Sequence, residues 1–174
     1  AEDHLSIREP QVQTVSVTLP DHAWRMYRDM ERTMLAEIAD RGIEAVNAGV
    51  ATLKCRQIAS GAVYVDEAGN WEHVHDAKID ALSSVIEEAS GEPVLVAYHF
   101  RSTADRVVAA ISGARKLDAG PTTVDEWNAG KIPVLCIHPA SAGHGLDLQH
   151  GGRRIVFADA DWDLELHQQV IERI

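Results

Sequence analysis

The chain has 174 residues and a mass of 19.0 kDa, which suffices for one compact domain. Apolar residues make up 45% and charged residues 25%, so the composition excludes a disordered chain and a disulfide scaffold. The net charge of −11 disfavours a free-standing nucleic-acid binder, although it leaves room for a local basic strip.

The sequence predicts neither a membrane anchor nor an export signal. No stretch approaches the ~20 apolar residues that cross a bilayer, and no basic start followed by an apolar run marks a signal peptide. Cys55 and Cys136 lie in apolar surroundings, which is typical of buried free thiols in a cytosolic protein. We therefore expect a cytoplasmic protein without a membrane partner. Because it begins with Ala1 rather than Met, the chain is either processed or cut from a longer polypeptide. Its last helix also ends without a Gly, Asn or Pro, so we expect a piece of a longer polypeptide.

The first half of the chain predicts mainly helical elements. Polar and apolar residues alternate before the first helix, with Val15 and Val17 on one face, and this pattern indicates a half-buried strand. The predicted elements are that strand over residues 11–19, a helix from Asp21 to about Asp40, a second helix ending near Gly61, and a hairpin over residues 62–75.

The second half of the chain alternates helices and strands. The predicted elements are a helix capped by Asp76, a buried strand over 94–100, a helix opened by the capping box Ser102–Asp105, a helix over 122–129, a strand over 134–139, a Gly-rich loop over 143–152, a strand over 153–159 and a helix from Asp163. This order predicts a three-layer α/β domain with a mainly parallel sheet. We expect residues 1–75 to pack on a core formed by residues 76–174.

The strongest candidate site is the sequence SAGHGLDL over residues 141–148, which directly follows a buried strand. Gly143 and Gly145 would let backbone N–H groups approach a phosphate or a ribose, and Asp147 could accept from a sugar hydroxyl. A glycine pair after a strand also fits a tight strand-to-helix turn, so this segment alone leaves both interpretations open.

Its neighbours add further motifs in a fixed order. They are LKCRQI (53–58), PVLVAYHF (93–100), the 141–148 segment, IVFADADWD (155–163), and the spacing of Gln169 and Arg173. The ordered set resembles the second RecA-like lobe of Swi/Snf-type ATPases in helicase superfamily two, and the phage and prophage branch is the most similar. The resemblance covers roughly residues 12–174.

This resemblance implies a RecA-like, P-loop NTPase-type lobe that acts as the second motor lobe of an ATP-dependent DNA helicase or translocase. On the nucleic-acid side it implies that Ser141 meets a DNA phosphate. The segment of Arg101, Ser102 and Thr103 follows the first core strand at a helix N-terminus, where a phosphate is readily held. The implied partner is DNA, taken as duplex DNA.

On the nucleotide side, the resemblance implies that Gly143, Gly145 and Asp147 face ATP. Gln169 would order the nucleotide interface, and Arg173 would be an arginine finger that stabilises charge during phosphoryl transfer. The cofactors would be ATP and Mg²⁺, shared with an N-terminal RecA-like lobe of the same parent polypeptide. The sequence has no Gly-x-x-x-x-Gly-Lys-Ser/Thr loop, so we expect this chain to be inactive alone.

Two other functions remain open from the sequence. One is a non-catalytic RecA-like binding or regulatory module, and the other is a flavodoxin-like enzyme that holds a phosphate-bearing cofactor. We predict no metal site, because His73 and His75 lack a third ligand at useful spacing. Asp159 comes directly after an apolar strand, a position typical of Mg²⁺-binding carboxylates in P-loop NTPases. Because the sequence has no P-loop, a Mg²⁺-binding role for Asp159 is disfavoured.

Overall fold

The computed structural model describes residues 10–41, 45–117, 121–142, 146–159 and 164–171. Its helices are α1 (Asp21–Arg41), α2 (Ala45–Ser60), α3 (Ala77–Glu88), α4 (Arg101–Ala110), α5 (Pro121–Asn128), α6 (Pro139–Ala142) and α7 (Leu164–Ile171). Its strands are β1 (Ala62–Tyr64), β2 (Trp71–His73), β3 (Val94–Ala97), β4 (Ala114–Lys116), β5 (Val134–Ile137) and β6 (Arg154–Phe157).

Four of these strands form one parallel sheet in the order β4–β5–β3–β6. Strands β3 and β5 are buried along their whole length, as their uninterrupted apolar sequences predict. Strands β1 and β2 form a separate antiparallel hairpin. The predicted α/β fold with a mainly parallel sheet is therefore confirmed.

Alternating residues of the strands face two different cores. Val94 and Val96 lie in a cluster with residues of α3 and α4, whereas Leu95 and Ala97 lie in a cluster with Trp127 of α5 and residues that follow it. Because side chains of a strand alternate between faces, the helices must cover both sides of the sheet. The structure thus has the predicted three layers.

Arg106 connects the N-terminal elements to the sheet domain. Its side chain is 6% exposed and donates from Nη1 to Ser60 O (2.8 Å) and from Nη2 to His75 O (2.5 Å) and Asp76 Oδ1 (3.0 Å). Gly61 makes this approach possible, because a Cβ there would overlap both His75 O and the Arg106 guanidinium. Its φ of +99° also suits glycine.

The predicted strand over residues 11–19 is wrong, since the structure has no strand in that segment. Instead the segment borders a cleft of about 370 Å³, with Val15 and Val17 on one wall and residues of α3 and β6 on the others. Val156 and Phe157 of β6 and the two residues that follow them all line this cleft, so it runs along the edge of the strand. Alternation correctly predicted that Val17 is half-buried, but Val15 is exposed, and a strand also needs a hydrogen-bonded neighbour.

The two predicted caps also differ from the structure. Helix α4 begins at Arg101 with Phe100 at the N-cap, so Ser102 lies within the first turn and does not open a capping box. Asp76 does occupy the N-cap of α3, but its side chain makes no capping hydrogen bond. It accepts from His73 Nε2 (2.9 Å) and Arg106 instead. In both cases a contact between distant elements determines the geometry of the helix start.

Strand β4 was missed because its sequence, ARK, is short and carries two charges. It lies at one end of the sheet, where Arg115 and Lys116 are exposed and pair with Glu126 and Asp105 respectively. A charged edge strand is a common means of limiting sheet-to-sheet association, but it lacks the apolar pattern used to predict strands.

Candidate functional site

The candidate site lies where strands β3, β5 and β6 end. Ala97, the last residue of β3, pairs with Ile137 on one side and with Phe157 on the other, so the three strands end at the same level. The residues that follow them therefore meet at one edge of the sheet. Ligands in open α/β sheets bind at this carboxyl edge.

Asp159 organises this edge from its position just after β6. It is 3% exposed, and its carboxylate accepts from the backbone N–H groups of His99 (3.0 Å) and Phe100 (3.1 Å) and from Thr103 Oγ1 (3.2 Å). The hydroxyl of Ser60 donates to the same carboxylate. A negative charge thus lies at the N-terminus of α4, where the helix dipole stabilises it. These protein donors occupy the oxygens that a Mg²⁺ ion would require.

Lys78 of α3 lies close to this carboxylate. Its Nζ donates to Ala158 O (3.1 Å), and burial lowers the pKa of Lys78 while the negative charge of Asp159 opposes that effect. Lys78 was not among the predicted site residues, because its place beside Asp159 depends on the packing of α3 against β6.

Three predicted phosphate contacts, Arg101, Ser102 and Thr103, occupy the first turn of α4. Arg101 is exposed, whereas Ser102 and Thr103 are buried. The Ser102 backbone N–H donates to the hydroxyl of Tyr64 (3.1 Å), and Thr103 Oγ1 donates to Asp159. Ser102 Oγ has no hydrogen-bond partner within the described part of the chain. Arg101 is therefore the side chain of this group that an incoming phosphate can reach directly.

A second basic residue, which was not among the predicted site residues, lies beside this turn. The guanidinium carbon of Arg56 lies 5.7 Å from the centre of the Phe100 ring, so α2 brings a positive charge to the start of α4. Its place within the motif at 53–58 was the available signal. The contact of Arg56 with Phe100 could not be read from the sequence.

Ser141 follows β5 at the same edge. It belongs to the four-residue helix α6, is half-buried, and its backbone N–H donates to His138 O (2.8 Å). The ring of His138 lies 5.6 Å from the ring of Tyr98, which follows β3. The residues after β3 and β5 are therefore in contact, and Ser141 stands near their junction.

On the nucleotide side, Asp147 is exposed and lies in a loop over residues 146–152, hereafter the clasp loop. Its carboxylate accepts from Gln149 N (3.2 Å) and lies 3.9 Å from His150 Nε2. The indole Nε1–H of Trp127 donates to Leu148 O (3.0 Å), so α5 holds this loop. Gly143 and Gly145 lie outside the described residues.

The predicted nucleotide residues of the last helix are described only in part. Gln169 lies within α7, but its side chain is outside the described part of the chain, and Arg173 is outside it altogether. Val170, next to Gln169, is fully buried in the same cluster as Trp127 and Leu148. Helix α7 is thus anchored to the core that supports the clasp loop.

The two histidines of the hairpin do different things. His73 is exposed and pairs with Asp76, whereas His75 is 3% exposed and its Nε2 lies 2.9 Å from Ile58 O. Within the described ranges, histidine, cysteine and acidic side chains form no group of three that could hold a metal ion. In the same ranges, no helix is both long and apolar enough to span a bilayer. Cys55 and Cys136 are free and buried, as predicted.

The chain is similar to one curated phage protein and to solved helicase-type domains. No protein-family model matches it. It is 49% identical over 174 residues to protein p41 of Acyrthosiphon pisum secondary endosymbiont phage 1, and it spans 38% of that relative's length. The C-terminal part of the Fun30 ATPase domain is 17% identical, with a TM-score of 0.49, over 84% of this chain and 56% of that one. The Pyrococcus furiosus Hef helicase domain is 19% identical, with a TM-score of 0.45, over 87% of this chain and 30% of that one.

Proposed function

We propose that this chain is the second RecA-like motor lobe of an ATP-driven DNA helicase or translocase of Swi/Snf type. The observation that carries the proposal is the position of the predicted contact residues. Those in the described part of the chain lie in the segments at 101–103, 141–148 and 164–171, which follow β3, β5 and β6, three neighbouring strands that end at one level. Nucleic-acid and nucleotide contacts would then share one edge of the sheet.

For DNA, the proposal assigns the phosphate contacts to Arg101 and Ser141. Asp159 already occupies the N-terminus of α4, so Arg101 and its neighbour Arg56 would supply the attraction for phosphate. Ser102 and Thr103 would hold the helix start rather than touch the phosphate themselves. A local basic site of this kind is compatible with an acidic chain.

For the nucleotide, the proposal assigns Gly143, Gly145 and Asp147 to the binding surface and Gln169 and Arg173 to the interface between two lobes. Arg173 would donate to the γ-phosphate and stabilise the charge that develops there. ATP and Mg²⁺ would be held jointly with another lobe that carries a P-loop, since this sequence has none. This chain itself would orient the nucleotide and couple its hydrolysis to the binding of DNA.

The proposal is tested by ATP turnover with and without duplex DNA. We expect DNA-stimulated turnover by the longer polypeptide that contains this chain and its P-loop lobe, and none by this chain alone. Arg173→Ala should abolish turnover in the longer polypeptide while leaving the folded state intact. A longer polypeptide that is silent with every nucleic acid would favour a binding module, and turnover by this chain alone would overturn the motor assignment.

The DNA contact is tested separately with two matched arginine substitutions. Arg101→Gln should weaken duplex DNA binding and lower the salt dependence of its log Kd by about 1, the value for one phosphate contact. Arg154→Gln is the control, because Arg154 lies at the opposite end of β6 and pairs with Glu92 (2.6 Å). Equal weakening by both substitutions would contradict the assignment of DNA to the carboxyl edge. Fluorescence anisotropy across a salt series gives both values.

A further inference from the structure

Two consecutive residues of α5 hold the backbone of the clasp loop. Trp127 is fully buried and donates from Nε1 to Leu148 O (3.0 Å). The side-chain amide of Asn128 uses both of its ends, donating from Nδ2 to Asp147 O (2.8 Å) and accepting at Oδ1 from His150 N (3.3 Å). Three backbone groups between residues 147 and 150 are therefore fixed by α5.

The clasp loop packs so closely against Trp127 that its backbone has little room to move. A Cβ at Gly151 would overlap the indole ring, and a Cβ at Gly152 would lie 2.7 Å from Pro93 O. The loop backbone thus lies directly on the ring, and Gly151 is itself buried. This close contact fixes the distance between the loop and α5. The hydrogen bonds of the Asn128 amide fix which loop residues lie opposite the end of that helix.

The carboxylate of Asp147 depends on this backbone for its position. Its side chain is 63% exposed, and its contacts in the described part of the chain are local ones, with Gln149 N and His150 Nε2. Asn128 binds the loop at the carbonyl of Asp147 itself and at His150 N, three residues further along the chain. No tertiary contact of the carboxylate itself is present among the described residues.

We propose that Asn128 is a positioning residue for Asp147 and thereby for the bound nucleotide. This inference rests on the proposed function, because it takes Asp147 as a nucleotide contact. Asn128 itself would not touch the nucleotide. Its two hydrogen bonds restrict the clasp loop before the nucleotide binds, so binding loses less conformational freedom. Asn128 should therefore change the affinity for the nucleotide and not the rate of the chemical step.

The test is the ATP turnover of the full-length polypeptide with Asn128→Ala. We expect the KM for ATP to rise about five- to tenfold, the scale of one or two lost net hydrogen bonds. The kcat should stay within about twofold, because Asn128 touches no reacting atom. The Kd for duplex DNA should not change. Thr122→Ala is the matched control, since Thr122 is an exposed polar residue on the same helix.

Amide hydrogen exchange on the same variants provides a second readout. The His150 N–H should exchange faster in Asn128→Ala than in Thr122→Ala, while the β5 amides should stay equally protected in both. A normal KM with Asn128→Ala in an active polypeptide would overturn the positioning role and leave the proposed function intact. Absence of DNA-stimulated turnover in the unsubstituted polypeptide would overturn both, whatever the exchange rates are.

Discussion

His75 uses both of its ring nitrogens inside the protein. Nδ1 accepts from Ala77 N (3.3 Å), so Nε2 carries the proton and donates to Ile58 O (2.9 Å). Burial lowers the pKa of His75, and the nearby Arg106 guanidinium acts in the same direction, although the bond to Ile58 opposes them. The folded protein therefore favours the neutral imidazole.

We expect this histidine to make stability fall in mild acid. Its pKa is lower in the folded state than in the unfolded state, where it is near 6.5. The unfolded state then binds more protons between those two pKa values, so the free energy of unfolding decreases as pH falls below about 6.5. Above that pH the imidazole is neutral in both states, so His75 no longer changes the free energy of unfolding with pH. Urea unfolding at pH 7.5, 6.5 and 5.5 measures it.

The variant for this measurement is His75→Asn, whose amide group does not titrate. Removing His75 should flatten the dependence in this range. An NMR titration of the imidazole checks the same point without a substitution, and a His75 pKa at or above 6.5 would contradict the argument.

The clasp loop contains two glycines, Gly151 and Gly152. Of these, we expect replacement of Gly151 to destabilise the folded protein more. An alanine methyl there overlaps the Trp127 ring, and moving the ring breaks its bond to Leu148 O. Overpacking of this kind costs about 1–3 kcal/mol. Gly49→Ala is the control, because a Cβ at that site in α2 would meet no described heavy atom within 4 Å apart from its own adjacent helix backbone. Alanine there should stabilise the helix by about 0.5–1 kcal/mol. Urea unfolding that shows equal effects for both would contradict the packing described.

At the scale of elements, α4 joins the N-terminal helices and hairpin to the sheet domain. Arg106 reaches the end of α2, the end of β2 and the start of α3 from one buried side chain. Asp159 adds a second connection from β6 to Ser60 at the end of α2 and to Thr103 of α4. These polar contacts lie among buried groups, so each lost partner leaves another group without compensation.

Arg106→Met should therefore destabilise the protein by about 2–5 kcal/mol, because two backbone carbonyls and Asp76 lose their donor. Arg115→Met is the control. The side chain of Arg115 is 45% exposed and pairs with Glu126, and such surface pairs contribute only about 0–1 kcal/mol. Thermal and urea unfolding of the two variants at pH 7.5 should rank them clearly. A loss below 1 kcal/mol for Arg106→Met would contradict the role of Arg106 as a connection.

The same contacts explain which elements could be predicted from the sequence. Helices α1, α2, α3 and α5 and strands β3, β5 and β6 followed from apolar periodicity together with glycine or proline at their ends. The start of α4 did not, because the anion at its N-terminus comes from Asp159, far along the chain. The sequence indicated Ser102 as a cap, and the structure buries Ser102 instead.

At the scale of the whole molecule, the parallel sheet and its two covering layers could be predicted, but the side chains around the site could be predicted only in part. The apolar sequences of β3 and β5 indicate strands buried on both faces. The order of the strands along the sheet brings the three carboxyl ends together, and this order is not encoded locally. Arg56, Asn128 and Lys78 therefore acquire their places only through tertiary packing.

The two native thiols allow the cooperativity of the molecule to be measured without a substitution. Cys136 lies in the central part of β5, is fully buried, and burial raises the pKa of its thiol to about 12. Cys55 lies in α2, where burial and the Glu31 carboxylate raise its thiol pKa as well. Neither thiol reacts readily until it is exposed, so each labelling rate reports an opening event.

Because Arg106 and Asp159 bind α2 to the sheet domain, we expect both cysteines to be labelled at the same rate by an aromatic disulfide reagent under native conditions. In Arg106→Met, Cys55 should become the faster of the two. Faster labelling of Cys55 in the unsubstituted protein would instead mean that residues 1–75 open as an independent unit. The buried cysteines thus turn a packing feature into a kinetic measure of whether the two halves of the chain unfold together.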